Sequence, residues 1–197
     1  MAATVLDQDF YQQNPKQVAR LLLGQLLVST IGGKRASGII VETEAYLAHG
    51  DSAAHGFKGK TNKNSSMFGN AGFAYVYPIH AKFCFNAVTQ SIDQPSAVLI
   101  RALAPVDGLL LMQERRRTQE LRNLCSGPSK LCQALGIDQT VDGKNLTTRR
   151  SIWIQSTADI VGSIKRTHRI GVTSAKQSKL RFVIAGSDFA SGPKYMR

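Results

Sequence analysis

Apolar residues along this chain follow two periods, and glycine and proline mark the places where one gives way to the other. QLLVSTI at 25–31 and SGIIVETEAY at 37–46 flank Gly32–Gly33, which predicts two strands joined by a tight turn. FAYVY at 73–77 and AVLIRAL at 97–103 are rich in branched and aromatic residues and predict further short strands. SIWI and LRFVIAG predict two late ones. Helical spacing appears elsewhere. Asn14 and Pro15 suit an N-cap and first helical position, with the helix running through VARLLLG to Gly24. LLLMQERRRTQELRNL predicts one long charged helix. SGPSKLCQALG predicts another, opened by Pro128 and closed by Gly136, with free amides in its first turn. No repeat or linker interrupts the pattern, so one mixed α/β domain over residues 1–197 is expected.

Composition narrows this. The chain has 197 residues, 43% of them hydrophobic, which suits a single globular domain with a proper core. Lys plus Arg number 25 against 13 Asp plus Glu, and the resulting charge of +12 points to a polyanionic partner. Nucleic acid is favoured over a membrane surface, because there is no long apolar span and no basic amphipathic terminal helix. Cys84, Cys125 and Cys132 are odd in number and lack a close CxxC pair, which argues against a disulfide framework and a zinc knuckle. The start, MAATVLDQDFYQQNP, lacks the layout of a signal peptide, so a reducing, cytoplasmic setting is expected.

Against this basic background, VETEAYLAHGDSAAHG at 41–56 gathers acidic and aromatic residues. Side chains alternate across a strand, so Glu42, Glu44 and Tyr46 would share one face. Two carboxylates on one strand face are costly when buried without partners, so they belong either in water or in a site that needs them. Tyr75 and Tyr77 share a face of another strand, and His49 and His55 follow the glutamates. A carboxylate among stacking rings suits a flat, hydrogen-bonding ligand such as a nucleobase. Glu42, Glu44, His49 and His55 could instead supply metal ligands, but their spacing matches no HExxH arrangement and nothing completes the set. Arg101, mid-strand in VLIRAL, requires an acidic partner if buried: either a structural ion pair or a grip on a catalytic glutamate that keeps it ionised. The run Arg115–Arg116–Arg117 reads as a solvated helix face. Lys130, in the first turn of the SGPSK helix, suits either plain capping or phosphate binding.

VETEAY at 41–46, AAH at 53–55, MFGNAGFAYVY at 67–77, FCFN at 83–86, VLIRAL at 98–103 and LCSGPSKLCQALGI at 124–137 together resemble the alkyladenine (3-methyladenine) DNA glycosylase family. The match runs in the family's order over residues 7–187, and the long LCSGPSKLCQAL string makes it specific; from about residue 187 the tail follows the family only loosely. The resemblance implies a compact α+β domain around a curved antiparallel sheet surrounded by helices. It also implies a monomer that excises damaged purines from double-stranded DNA without a covalent intermediate, a metal or another cofactor. Glu44 would be the general base and Arg101 the arginine that buttresses it. Tyr46, His55 and Tyr77 would enclose the flipped base, and Asn86 would exclude the exocyclic amine of guanine.

One departure stands out. Where the family carries a tyrosine that wedges into the duplex, this chain reads PIHAKFCFN, one residue shorter, with His80 at the wedge position and Ile79 beside it. The resemblance implies substrates of the 3-methyladenine, 7-methylguanine, hypoxanthine and ethenoadenine class, cut by hydrolysis with no lyase step. The rival readings are a non-catalytic basic module that binds nucleic acid and a metal-dependent hydrolase. The first has no use for a carboxylate facing an aromatic pocket, since it repels phosphate.

Overall fold

In the computed structural model, which describes residues 4–157 and 162–193, three of the helices start or stop at capping residues that the sequence supplies. Helix α1, Gln8–Gln12, is capped by the Asp7 side chain, which accepts from the Phe10 amide. Helix α2, Pro15–Leu21, starts as expected from Asn14, whose side chain accepts from the Lys16 amide. Helix α5, Pro128–Leu135, opens on Pro128 and closes on Gly136 in the left-handed conformation (φ 73°), which only glycine adopts without strain. Its apolar side buries Leu131, Cys132, Ala134 and Leu135.

The long charged helix expected over 109–124 is two helices. Helix α3, Leu109–Arg116, stops at Arg117, a left-handed residue (φ 52°), and helix α4, Leu121–Leu124, restarts after a bend. The arginines are the physical cause, because two of them point inward as donors. Arg115 Nη1 donates to the Ala134 carbonyl at 3.1 Å, and Arg116 Nε donates to the Leu124 carbonyl at 3.1 Å. These bonds tie α3 to α4 and α5, so this part of the charge run is not a solvated face.

Strands β1 (Leu26–Ser29), β2 (Ala36–Tyr46), β3 (Ala74–Ile79), β4 (Lys82–Thr89), β5 (Ser96–Asp107), β6 (Ile152–Gln155), β7 (Ile164–Thr167) and β8 (Arg181–Ile184) form one antiparallel sheet. Sequence reading missed β4 and β7, and gave β5 too short a span. The order is β3-β4-β5-β2-β1-β6, with β8 on β2 and β7 on β8. Strand β2 is the spine. One of its edges pairs with β5, while the other is shared, residues 36–39 going to β1 and 42–44 to β8. The sheet curls into a half-barrel, giving a single compact mixed α/β domain.

The outer, helix-covered face carries the core. Tyr11, Val18, Leu22, Leu131 and Leu135 pack with Ile40, Ala45, Val76, Phe85, Val98 and Ile100, all essentially without solvent contact. Each such large apolar side chain contributes about 1.5–3 kcal/mol on burial. Thr43 anchors β2 to α2 through its hydroxyl, which donates to the Ala19 carbonyl at 2.7 Å. All three cysteines are free and buried. Among the described residues no helix is long and apolar enough to cross a membrane.

Candidate active site

The opposite, concave face is built from one row of residues. Tyr75 pairs with Asn86, Asn86 with Leu99, Leu99 with Glu44, and Glu44 with Arg181, so five strands contribute one side chain each at the same level. Tyr77 and Tyr46 lie two residues further along their strands and therefore face the same way. Between β2 and β5 the register slips three times, and at two adjacent slips Val41 on β2 and Arg101 on β5 have no pairing partner. Such paired bulges bend the sheet locally and re-aim side chains. Here the slip lets Arg101 reach both glutamates of β2.

Glu42 is fully buried and accepts four hydrogen bonds. Its Oε1 receives Arg101 Nε at 2.9 Å, Arg181 Nε at 2.6 Å and the Ser191 hydroxyl at 2.8 Å, and its Oε2 receives the Ser191 amide at 2.6 Å. Burial alone would raise its pKa, but the charges of Arg101 and Arg181, with the hydrogen bonds from Arg181 and Ser191, outweigh it and hold the carboxyl below its ordinary range. Glu44, also fully buried, differs. Its Oε1 accepts from the Ile170 amide at 2.8 Å and lies 3.3 Å from Arg101 Nη1, and its Oε2 accepts from the Tyr46 hydroxyl at 2.9 Å. A carboxylate offers about four acceptor sites, so these three contacts do not fill it.

In front of this carboxylate lies a cavity of about 420 Å³, lined by Tyr46, His55, Met67, Tyr75, Tyr77 and Asn86 and walled on one side by residues 171–174. Tyr75 and Tyr77 lie with ring centroids 5.6 Å apart, and His55 meets Tyr77 edge-on at 4.4 Å. The imidazole Nδ1 is 2.8 Å from the Tyr75 hydroxyl, and desolvation lowers its pKa, which favours the neutral ring. The loop carrying His55 is tight: a Cβ on Gly56 would come within 2.5 Å of the Pro95 ring, and buried Asn64 donates to the His55 and Gly59 carbonyls. Asn86, which lines the cavity, donates its amide to the Tyr75 carbonyl at 3.0 Å. The glutamates and Arg101 do not line this cavity. They form a buried layer next to Tyr46, whose hydroxyl joins Glu44 to the cavity wall.

Other expected residues fall outside this layer. His80 and Ala81 form the tip of the β3–β4 hairpin, both at positive φ (45° and 59°), and His80 and its neighbour Ile79 are exposed. Lys130 makes two long contacts of 3.4 Å, to Asn123 and Ser126, and burial together with the charges of Arg116, Arg122 and Lys82 lowers its pKa. The four residues weighed as metal ligands are not brought together. Glu42 is occupied by arginines and Ser191, His55 bonds Tyr75, His49 is exposed, and no group of three candidate ligands exists among the described residues.

Five residues of the site were not foreseen: Asp51, Arg169, Ile170, Arg181 and Ser191. Arg181, flanked by apolar residues in LRFVI, carries the same signal as Arg101 in VLIRAL and could have been found by it. Ser191 and the amide of Ile170 carry no residue-type signal at all.

A family model described as Methylpurine-DNA glycosylase (MPG) matches residues 9–188. Among curated relatives, one from Rhodopirellula baltica is 42% identical over 193 residues, covering 95% of this chain and 83% of the relative. One from Mesorhizobium japonicum is 40% identical over 181 residues, covering 91% and 86%. One from Francisella tularensis subsp. tularensis is 42% identical over 177 residues, covering 88% and 91%. Each of these three bears the name "Putative 3-methyladenine DNA glycosylase". With the buried glutamates, the aromatic cavity and the basic charge already in place, these matches show that the chain belongs to the methylpurine-DNA glycosylase family.

Proposed function

We propose that this protein is a monofunctional, monomeric DNA glycosylase that flips alkylated or deaminated purines out of duplex DNA and hydrolyses their N-glycosidic bond. The observation that carries this reading is a buried carboxylate, Glu44, held by Ile170, Tyr46 and Arg101 and joined through the Tyr46 hydroxyl to a cavity of aromatic walls. A flat base stacks between Tyr46 on one side and His55 and Tyr77 on the other, paying its unstacking cost with these contacts. Glu44 takes a proton from water as that water attacks the anomeric carbon, and its charge stabilises the developing oxocarbenium ion. Arg101 aims Glu44. Asn86 presents a carbonyl to the base edge and leaves no room for the exocyclic amine of guanine. Lys130, among Arg116, Arg122 and Lys82, holds a backbone phosphate, and His80, with Ile79, enters the gap left in the stack.

An alkylated purine carries positive charge and leaves with little help, whereas hypoxanthine needs hydrogen bonding at the base. Both need the activated water. No lysine is required for a Schiff base, so the reaction stops at the abasic site. Single-turnover excision from oligonucleotides bearing 3-methyladenine, 7-methylguanine, hypoxanthine or ethenoadenine tests this. Release of base from at least one lesion, with the strand left intact before alkali, is expected. Binding without release from every lesion would leave a non-catalytic DNA-binding module.

A further inference from the structure

The guanidinium of Arg101 touches three groups, and only one of them is Glu44. Nε donates to Glu42 at 2.9 Å, Nη2 to the Ser191 hydroxyl at 3.3 Å, and Nη1 lies 3.3 Å from Glu44. The Ser191 hydroxyl in turn donates to Glu42 at 2.8 Å, and the Ser191 amide donates to the other oxygen of that carboxylate at 2.6 Å. Its carbonyl accepts from Arg181 Nη2 at 3.3 Å. Every polar atom of Ser191 is thus engaged with Glu42 or with one of the two arginines on it. Two anchors fix the plane of a rigid, planar fork, and the third nitrogen then has one direction left to point. The residue lies three positions beyond residue 188, where the family match ends, and it is buried.

We propose that Ser191 is a positioning residue, which sets the rotation of Arg101 through Glu42 and thereby aims Nη1 at the proposed general base. With the hydroxyl removed, the fork loses its Nη2 anchor, turns about the Nε–Glu42 bond, and its grip on Glu44 loosens. Because the layer lies next to Tyr46 and outside the cavity, this change leaves base and DNA binding untouched. The inference rests on the reading of Glu44 as the base, and the experiment separates the two.

Single-turnover excision rates and lesion-DNA dissociation constants are measured for the wild type, Ser191→Ala and Ser191→Thr, with thermal melting of each. Absence of excision by the wild type would sink the proposed function itself. Given an active wild type, Ser191→Ala should lower the maximal rate roughly tenfold, the scale of a small misplacement in a catalytic constellation. Its dissociation constant should stay within about twofold of the wild type, a margin well under 1 kcal/mol. Ser191→Thr, which keeps the hydroxyl, should restore most of the rate. A rate for Ser191→Ala within twofold of the wild type, by the same margin, or a loss shared in full by Ser191→Thr, would overturn the proposal. So would a loss in which binding and melting temperature fall together, since that is what a merely structural residue produces.

Discussion

Arg169 lies beneath Tyr46, its guanidinium carbon 4.6 Å from the ring centroid, while two of its nitrogens grip Asp51 at 2.7 Å each. The same arginine donates to the Ala45 carbonyl, and the next residue supplies the amide that Glu44 accepts. Asp51 also accepts from the Leu47 and Ala53 amides, which shapes the loop leading to His55. One buried ion pair therefore supports three parts of the cavity: the Tyr46 ring, the His55 loop and the 170–174 wall.

Arg169→Gln should destabilise the fold by about 3–5 kcal/mol, because it leaves the Asp51 charge buried and unpaired. Adding Asp51→Asn should recover part of that loss, a non-additivity expected of residues in direct contact. Arg169→Lys should rescue poorly, since an ammonium cannot bond both carboxylate oxygens in the same plane. Thermal or urea unfolding of these three variants and of Asp51→Asn alone measures this, and strictly additive losses would show that the pair is not coupled.

Glu44→Gln should abolish excision while leaving lesion binding nearly intact. The amide keeps the shape and the bond from Tyr46 but takes no proton, and loss of a general base costs about 10²–10⁴-fold. Single-turnover kinetics beside a binding titration give the comparison. Activity within a few-fold of the wild type would remove Glu44 from the role; Glu42, whose oxygens are already filled by four donors, is poorly placed to take it over.

Asn86→Ala should relax discrimination against undamaged guanine while hypoxanthine is still excised. The side chain is held at 3.0 Å to the Tyr75 carbonyl and borders the cavity, so shortening it opens space for an exocyclic amine. Excision of guanine from normal duplexes is the measurement. Unchanged rejection would place the filter elsewhere on the wall.

His80→Ala should slow excision from duplex DNA far more than from a single strand, where no gap in a stack needs filling, and His80→Tyr should restore or raise the duplex rate. The tip that carries it is strained, because both His80 and Ala81 sit at positive φ in a two-residue turn that favours Asn-Gly. Ala81→Gly should accordingly stabilise the protein by up to about 1–2 kcal/mol. Equal losses of His80→Ala on both substrates would take His80 out of the duplex and bring Ile79 forward.

Stability should fall with acid in two steps. The His55 pKa is lowered by desolvation, so its contribution is present above the unfolded value of about 6.5 and is lost as pH falls through the folded one. Burial would raise the carboxyls of Glu42 and Asp51, but their arginines and hydrogen bonds outweigh it and hold both low. Their contribution is present above the unfolded carboxylate value of about 4 and disappears below it. Melting temperature against pH shows the steps. His55→Gln should remove the upper one alone, and a rise in stability on acidification would contradict the assignment.

The sequence exposed some of this more readily than the rest, for physical reasons. Strand alternation was enough to place Glu42, Glu44 and Tyr46 on one face, and apolar flanks were enough to mark Arg101 as buried and paired. Alternation does not foresee bulges, so the slip at Val41 and Arg101 that lets one arginine serve two glutamates appears only in the structure. Strand β4 was obscured because KFCFNAVT is buried on both faces after its first residues and shows no alternation. The split of the charged helix was hidden because the arginines that cause it bond to carbonyls 8 and 19 residues away. Arg169 and Ser191 reach their partners across 118 and 149 residues, beyond any local pattern.

That last separation bears on how the molecule comes into being. Glu42 is made early and Ser191 late, so the bonds that Ser191 makes to Glu42 and Arg101 cannot form until nearly all of residues 1–191 have been made. Contacts between such distant positions form late and slowly, after the loop-closure entropy has been met. A half-made or clipped chain thus lacks the bonds by which Ser191 completes the buried cluster around Glu42 and Arg101.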